Sequence, residues 1–489
     1  MPTQIEILEE AIRAAITRAI DGGTLSGTAP DLIKLERPKD RDHGDYATSI
    51  ALQLAKPAGM NPREVAQIIA NQLSDVADIS KVEIAGPGFI NITLNRASQA
   101  VLVQTILTAK SDYGKGSALA GVKINLEFIS ANPTGPLHLG HTRWAAVGDA
   151  LGRVLTAAGA QVTREFYIND RGNQMDLFGQ SVEAVALGNA VPENGYQGEY
   201  IKDLAQEVVA QNSGIKELLG DERFIAFREA AYKLQLKDQQ RVLETFNTHF
   251  DVWFSERSLH DQGAVEHGME KLRAKGHVFD IDGAVWLRTS DYGDDKDRVM
   301  TKSDGSLTYF ASDTAYYINK RERGFDICIY MLGADHHGYI GRLKATAACA
   351  GDDPAYNVEV LIGQLVKIME GGEEVKLSKR AGTIITLEEL VEKVGVDAAR
   401  YTLIRYPVDT PMVMDIDVLK RNTNENPVYY VQYAHARIAG VLRNAQELKI
   451  PVGLENFDPS QLTHDRENEL LGALAEFPKI VAGAAEMRE

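Results

Sequence analysis

Two histidines three residues apart, His138 and His141, lie in the segment ANPTGPLHLGHTR at residues 131–143. Apolar residues recur at helical spacing over residues 144–155, so the pair is predicted to open a helix. A helix N-terminus has unpaired N–H groups and a positive dipole end that attract phosphate, and Gly140 would let a flat base approach the backbone. We therefore expect a phosphate site. A zinc site, or one buried and one exposed histidine of no special role, are the alternatives.

A second cluster, GADHHG at residues 333–338, follows an apolar run typical of a strand. An aspartate after a strand commonly meets a ribose hydroxyl, which makes Asp335 a candidate nucleotide ligand. His336 and His337 could instead complete a zinc site with the first pair of histidines. The pattern alone leaves both interpretations open.

A third cluster is EGGEEVKLSKRAGT at residues 370–383, where glycines flank Lys376 and Lys379. This arrangement is typical of a mobile loop that brings ammonium groups onto phosphates during group transfer. A lone KxxK pattern is also compatible with a solvated charged turn.

The elements that must position these clusters follow from hydrophobic periodicity. GVKINLEFIS, QVTREFYIND and DICIYMLG are typical of buried parallel strands. Between them, residues 180–290 appear mainly helical, with 221–254 the longest helical stretch and a hairpin predicted at Asp282-Gly283. Strands on both sides of a helical insertion predict one split, doubly wound α/β sheet. Ligands in such sheets bind beyond the carboxyl ends of the strands.

The flanking regions differ from this pattern. Residues 3–20 predict an amphipathic helix, Asn61 and Pro62 open a second helix that runs to about residue 73, and alternation from residue 90 to 94 predicts a strand. These elements form a small α+β domain that ends near residue 115. Beyond residue 415 the pattern is helical, notably over residues 424–448.

Composition limits the functional classes. The chain has 489 residues, 44% hydrophobic and 25% charged, which predicts several packed domains. Its net charge of −17 argues against indiscriminate nucleic-acid binding. Cys328 and Cys349 are too few for a disulfide framework, and no apolar run approaches the ~18 residues of a membrane span. We expect a cytoplasmic protein.

HLGH and KLSK resemble the HIGH and KMSKS signatures of class I aminoacyl-tRNA synthetases. The segments SANPTGPLHLGH, DGSLTYFASDTAYY, RGFDICIYMLGADHHGYIGRLKA, KLSKRAGT and VGVDAARYTLIRY are similar to the arginyl-tRNA synthetase family, and DHGDYATSIALQLAK and EIAGPGFINITL resemble its additional N-terminal domain. Leu377 and Arg380 replace the methionine and serine of the class pattern, while both lysines remain.

The resemblance implies a Rossmann-type split parallel sheet with a helical insertion, between an N-terminal α+β domain and an all-α anticodon-binding domain. The resemblance implies four domains. Residues 1–116 contact the tRNA elbow, and residues 117–365 form the catalytic domain, whose insertion at about 180–290 touches the acceptor end. Residues 366–415 form the KMSKS-loop and stem-contact region, and residues 416–489 form the helical domain. The family normally continues past residue 489, so we expect the end of that domain to be missing.

The implied reaction has two steps. The carboxylate of L-arginine attacks the α-phosphate of ATP and releases pyrophosphate, and the 3′-terminal ribose of tRNA(Arg) then takes the arginyl group. The family characteristically needs tRNA even for the first step. By resemblance His138 and His141 hold the α-phosphate region and Lys376 and Lys379 clamp the pyrophosphate. Mg²⁺ accompanies ATP, and no dedicated protein metal site is implied. The implied ATP-binding residues are His138, Gly140, His141, Gly333, Asp335 and Lys379.

An arginine pocket must meet a planar fork of donors, which carboxylates do in two-point fashion. Asp313 is expected to take the guanidinium, Tyr309 the aliphatic stem or a terminal nitrogen, and Glu127 or Asn132 the α-amino group. The full implied set is Glu127, Ser130, Ala131, Asn132, His141, Tyr309, Asp313 and His336. Without the resemblance, Glu127 would be interpreted as a surface strand carboxylate and Asp313 as a helix N-cap.

For tRNA contact the candidates are Phe89, Asn91, Tyr430, Tyr433 and Arg437, aromatic, polar and basic groups able to stack on or bond unpaired bases. The tyrosines could equally pack against a helical bundle. The resemblance implies a monomer. The alternative functions are another HxGH nucleotidyltransferase or class I synthetase, a non-catalytic tRNA-binding protein, and a metal hydrolase.

Overall fold

The computed structural model describes residues 4–38, 40, 43–336, 338–375, 385–421, 423–458, 461–462 and 464–489, apart from the side chains of 96–100 and 335. The chain forms two compact units, Met1–Gly116 with Ala439–Ala484 and Ser117–Ile438 with Ala485–Glu489. In these described ranges, no helix is both long and apolar enough to cross a membrane.

The first unit combines helices with an antiparallel sheet. Its N-terminal elements are α1 (Gln4–Asp21), β1 (Leu35–Glu36), β2 (Tyr46–Thr48), α2 (Ile50–Ala58), α3 (Pro62–Leu73), β3 (Ile79–Ala85), β4 (Phe89–Leu94) and α4 (Arg96–Ala109). The strands pair in the order β1-β2-β4-β3. Ile12 and Ile16 of α1 are fully buried against this sheet's core, as their spacing predicts.

The start of α3 also follows the prediction. Asn61 Oδ1 accepts the backbone N–H of Arg63 at 2.9 Å, and Glu64 reaches back to the Asn61 N–H at 3.3 Å. This reciprocal cap satisfies two N–H groups that would otherwise be unpaired, and Pro62 occupies a position that needs no donor.

The second unit is built on a parallel sheet with the strand order β12-β11-β5-β6-β7. These strands are β5 (Lys123–Glu127), β6 (Gln161–Ile168), β7 (Val252–Ser255), β11 (Ile327–Gly333) and β12 (Val358–Gly363). The helix α5 (Leu139–Ala157) joins β5 to β6. The chain runs outward from β5 through β6 and β7, and later returns to the other side as β11 and β12, so the topological switch lies between β5 and β11. The predicted split parallel sheet is confirmed.

Most of the predicted insertion is helical. It contains α6 (Asn173–Ala186), α7 (Glu199–Gln211), α8 (Gly220–Thr245), α9 (Glu256–Asp261) and α10 (Ala264–Ala274). The prediction of one helical stretch over 221–254 is wrong at its end, because α8 stops at Thr245 and Val252–Ser255 becomes β7. Asn247 breaks the helix with φ of +56°, and the Val-Trp-Phe run suits an extended strand that pairs with β6.

The predicted hairpin is present between β8 (Val278–Ile281) and β9 (Ala284–Leu287), and β10 (Arg298–Thr301) adds beside β9. Asp282 and Gly283 have φ of +52° and +77°. Positive φ at both central residues is the two-residue turn whose twist matches the flanking strands.

The remaining elements follow the sheet's two halves. They are α11 (Tyr309–Glu322), α12 (Tyr339–Cys349), β13 (Val366–Glu370), β14 (Glu373–Glu374), α13 (Leu387–Val394), α14 (Val396–Ile404), β15 (Met412–Asp415), α15 (Ile416–Leu419), α16 (Pro427–Glu447) and α17 (Asp465–Met487). Within the first unit, Leu471 and Ala475 of α17 pack on Leu102 of α4, and the Tyr113 hydroxyl donates to the Leu474 carbonyl at 2.7 Å.

Candidate active site

A cavity of about 870 Å³ opens at the carboxyl ends of β5, β11 and β12. This edge is where the strand order reverses and where ligands of doubly wound sheets bind. The predicted residues among its lining are Glu127, Ser130, His138, Gly140, His141, Asp313, Gly333 and His336. The fold therefore brings most of the first two sequence clusters and the carboxylate of α11 into one place.

The two histidines close the N-terminus of α5 with their rings. His138 Nδ1 accepts the Gly140 N–H at 3.1 Å, and His141 Nδ1 accepts the His138 N–H at 3.3 Å. A neutral imidazole whose Nδ1 accepts carries its proton on Nε2. Each ring is thereby fixed as an Nε2–H donor at a helix end that already favours anions. A Cβ at Gly140 would lie 3.0 Å from Cε1 of His138, so glycine leaves room for this cap.

Arg143 anchors the same helix from below. Its buried guanidinium donates to the carbonyls of Gln364 at 3.1 Å, Thr410 at 2.9 Å and Pro407 at 2.7 Å. The first helical turns are thus tied to the segments before β13 and before β15. The helix end that carries the histidines is held in place by these charge-assisted bonds.

The turn after β5 is strained. Ile129 and Ser130 have φ of +70° and +44°, a conformation that costs a non-glycine residue about 1–3 kcal/mol. The strain places the Ser130 hydroxyl where it donates to Glu127 Oε1 at 2.9 Å and accepts the Tyr167 N–H at 3.2 Å. Glu127 is buried, so the interpretation of it as a surface strand carboxylate is wrong.

Asp313 faces the cavity from α11. The residue that caps this helix is Thr308, whose hydroxyl accepts the Ala311 N–H at 3.3 Å, so the N-cap interpretation of Asp313 is wrong. The Tyr339 hydroxyl donates to Asp313. Burial raises the pKa of Asp313 to about 6, against the lowering effect of the Tyr339 hydrogen bond, and the charge of Glu127 adds to the rise. A carboxylate held at this cost is a candidate binding group for a cation.

Glu256 is a second acid of this kind that the sequence interpretation missed. It is the first residue of α9, directly after β7, and only 4% exposed. Burial raises its pKa to about 7, and the charges of Asp313 and Asp170 raise it further while Arg171 lowers it. An acid at a strand's carboxyl end is the signal that would have identified it. The signal was lost because β7 was interpreted as helix.

Behind the cavity lie two ion pairs, of which the first is buried and the second has a buried carboxylate and a partly exposed arginine. The Lys320 ammonium is 2.5 Å from Glu127 Oε2, and Arg323 contacts both oxygens of Glu165 at 2.5 and 2.8 Å. Burial alone would raise the pKa of Glu165, but hydrogen bonds from Arg323 and the charge of Lys320 bring it below its ordinary value. Two carboxylates and two cations thus balance one another under the site.

Three predicted arginine-binding residues are not among the described residues that line the cavity. Tyr309 is 76% exposed at the start of α11. The amide of Asn132 donates to Gln174 of α6, and Ala131 is buried. Lys376, Lys379 and the side chain of Asp335 lie outside the described part of the chain.

The residues predicted to contact tRNA divide into exposed and buried side chains. Phe89 is 39% exposed, whereas Asn91, two residues further along β4, is buried, and tRNA contact by either residue stays a prediction. On α16, Tyr430 and Tyr433 are more than half exposed, and the Arg437 guanidinium lies 5.9 Å from the Tyr433 ring centre. The packing alternative is wrong for these two tyrosines.

The described residues contain no group of three or more His, Cys, Asp or Glu side chains placed to hold a metal ion. His337, which the zinc interpretation used, is outside the described ranges.

Family models match three consecutive parts of the chain. Residues 6–94 match "Arginyl tRNA synthetase N terminal domain", residues 102–435 match "tRNA synthetases class I (R), catalytic domain", and residues 431–489 match "DALR anticodon binding domain".

Curated relatives resemble the chain along nearly its whole length. The arginine–tRNA ligases of Paenarthrobacter aurescens and Pseudarthrobacter chlorophenolicus are 55% and 54% identical, over 99% of this chain and 88% of theirs. A Campylobacter jejuni crystal structure described as an arginyl-tRNA synthetase is 35% identical with a TM-score of 0.73, covering 81% of this chain and 87% of that one. The Thermus thermophilus arginyl-tRNA synthetase, at 21% identity and a TM-score of 0.73 over 99% of this chain and 88% of its own, shares the fold.

Proposed function

The chain belongs to the arginyl-tRNA synthetase family. From this premise we propose which residues of its cavity bind arginine and which bind ATP. The predicted function, ATP-dependent joining of L-arginine to tRNA, is confirmed by relatives above 50% identity. The individual residue roles below are the proposal.

Asp313 and Glu256 form the guanidinium end. Both are acids whose pKa is raised by burial, and the charge of Asp313 is among the causes for Glu256. A guanidinium presents five donors in a planar fork and never loses its charge at physiological pH. Placed between these acids it would relieve their mutual repulsion and stabilise both anions. A lysine substrate would leave one acid poorly paired, at about 1–3 kcal/mol for the unsatisfied group.

Glu127 is the proposed partner of the arginine α-amino group. It lies at the end of β5 with Ser130 fixing one oxygen, and it lines the same cavity as Asp313. Since each carboxylate oxygen has two lone pairs, Glu127 keeps acceptor capacity for a ligand ammonium. Asn132, Ala131, Tyr309 and His336 stay in the proposal as arginine-binding residues, and of these four His336 is among the described residues that line the cavity.

His138 and His141 form the phosphate end. Their Nε2–H groups, at the positive end of the α5 dipole, would donate to a developing phosphoryl charge, which preorganised dipoles stabilise without reorganisation. Gly333, at the end of β11, and Asp335 after it are proposed to contact the ribose of ATP. Lys376 and Lys379 would neutralise the leaving pyrophosphate. Mg²⁺ would arrive on the phosphate oxygens of ATP.

For tRNA we propose contact through Phe89 in the first unit and through Tyr430, Tyr433 and Arg437 on α16. Exposed aromatic rings beside a guanidinium stack well on unpaired bases. We also propose that the protein acts as a monomer in the cytoplasm, where ATP, arginine and tRNA are available together.

The observation that carries the assignment is the presence of two pKa-raised acids and an imidazole-capped helix end in and beside one cavity. The experiment is arginylation of tRNA(Arg) by the purified chain with ATP and Mg²⁺, alongside ATP–pyrophosphate exchange with tRNA present. We expect both activities with arginine and neither with lysine. Exchange driven by another amino acid would favour a different synthetase, and tRNA binding without exchange would favour a non-catalytic protein.

A further inference from the structure

We propose that Lys320 is a positioning residue for amino-acid recognition, which holds Glu127 in place and ties it to the helix that carries Asp313. The inference rests on the proposed role of Glu127 as partner of the α-amino group. Lys320 does not touch the substrate in this proposal; it acts through the carboxylate.

Lys320 is enclosed on every side. Its side chain has no exposed surface, and Nζ lies 2.5 Å from Glu127 Oε2. The ammonium also lies 3.9 Å from the ring centre of Tyr330 and 4.3 Å from that of Tyr316. Electron-rich ring faces attract a desolvated cation. The ammonium is therefore fixed by three contacts, one of which is the substrate-facing acid.

Stability alone does not account for such a pair. Replacing a buried ion pair by apolar residues is often neutral or stabilising, because removing two charges from water costs about as much as their attraction returns. Glu127, however, lines the cavity, and its other oxygen is fixed by Ser130. Both oxygens are thus oriented before a substrate arrives, which is the arrangement that a selective ammonium site needs.

One helix connects this pair to the guanidinium end. Asp313, Tyr316 and Lys320 are spaced three and four residues apart on α11, so they follow one face of the helix. Seven residues of α-helix rise ~10.5 Å. Through Lys320, the position of Glu127 is set relative to Asp313 by this rigid segment. The spacing of the two acids defines which amino-acid length fits.

The test removes the charge of Lys320 and measures which part of the substrate loses affinity. Lys320→Met is expected to raise KM for arginine at least ~10-fold, as truncating a buried charge partner does, with KM for ATP within ~3-fold. The probe is arginine with hydrogen in place of its α-amino group, used as a competitive inhibitor. Its inhibition constant is expected to stay within ~3-fold, because this analogue makes no bond to Glu127.

Controls separate positioning from damage to the fold. Lys271→Met removes a lysine whose Nζ lies 2.9 Å from Oε1 of Glu322, another residue of α11, which is not among the described residues lining the cavity. This variant is expected to leave the KM values and the inhibition constant unchanged. Lys320→Arg retains a cation and is expected to recover part of the arginine affinity. Lys320→Gln keeps a donor in a similar volume and is measured in case Lys320→Met does not fold. It too is expected to raise KM for arginine and to leave the inhibition constant of the analogue nearly unchanged.

Two outcomes overturn the proposal. One is an unchanged KM for arginine in folded Lys320→Met or Lys320→Gln, and the other is an equal loss of affinity for arginine and for the analogue. Glu127→Gln distinguishes the underlying assignment. If Glu127→Gln leaves KM for arginine unchanged, the role of Glu127 itself is wrong. If Glu127→Gln raises this KM and the Lys320 variants do not, only the role of Lys320 is wrong.

Discussion

In the proposed assignment, the two ends of the cavity recognise their ligands by different physical means. At the amino-acid end, Glu127 is buried and bonded to Lys320 and Ser130, while Asp313 accepts a hydrogen bond from Tyr339. At the nucleotide end, the donors belong to the end of a helix, with Gly140 exposed and the two histidines half-buried.

This difference follows from what each end must distinguish. An arginine pocket must reject other amino acids. Its buried carboxylates are held in fixed positions, so an amino acid without matching donors leaves one of them unpaired, which costs binding free energy. A phosphate needs donors and positive potential more than an exact shape; in the proposed site the imidazole Nε2–H groups supply the donors and the N-terminal dipole of α5 supplies the potential. Single substitutions should therefore affect selectivity at one end and rate at the other.

The largest effect is expected from Asp313→Asn. Losing the buried anion should lower kcat/KM for arginine about 10³-fold, since truncating one partner of a buried charge pair costs 2–5 kcal/mol or more. KM for ATP should change less than ~3-fold. Steady-state arginylation with each substrate varied in turn measures both. A comparable rise in the two KM values would contradict the division of the cavity.

A smaller effect, on rate, is expected from His138→Asn. Asparagine is a good N-cap, so α5 should keep its start, while the Nε2–H donor is lost. Removing one such donor lowers kcat about 10²-fold. Single-turnover arginylation measures the loss, and an unchanged thermal midpoint shows that the cap survives. His138→Ala, which loses donor and cap together, should be destabilised as well.

A pH dependence is expected from the two acids of the amino-acid end. In the proposed site arginine binds with both acids ionised, and with pKa values of about 7 for Glu256 and about 6 for Asp313 in the free protein, both are partly protonated at pH 6. Arginine affinity should fall about 20-fold from pH 8 to pH 6, because a proton must then be released on binding. Calorimetry in buffers of different ionisation enthalpy detects that proton.

Glu256→Gln is the matched control for this dependence. In this variant the change in arginine affinity near pH 7 should disappear, and the change near pH 6 should remain. ATP affinity, measured in the same way, should not follow these two groups. An arginine affinity that is flat between pH 6 and 8 in the parent protein would show that the two acids do not meet the guanidinium.

The smallest effect is expected from Tyr309→Phe. The side chain is 76% exposed and lies outside the described cavity lining. Loss of an exposed hydroxyl should change KM for arginine less than ~3-fold. A change above ~10-fold would show that the ring closes over the arginine stem, and that the amino-acid end completes itself only when the ligand binds.

Local signals were sufficient for several elements. The Asn61-Pro62 start of α3 and the Asp282-Gly283 turn depend on neighbouring residues, and the structure contains both as predicted. The end of α8 was predicted wrongly, because a helical pattern before β7 obscured a strand whose partner, β6, lies far away in sequence. That error also concealed Glu256, since an acid at a strand end draws attention only when the strand is recognised.

The sequence by itself determined the family, the split sheet and the helix start at His138 and His141, because these depend on motifs and periodicities within short stretches. It did not determine that both histidine rings accept backbone N–H groups at the start of α5, or that Glu127 is buried with Lys320. Those features decide charge state, tautomer and orientation. The imidazole cap forms within the first turn of α5, whereas the burial of Glu127 with Lys320 arises only when β5 and α11, separated by nearly two hundred residues, pack together and exclude water from the charges between them.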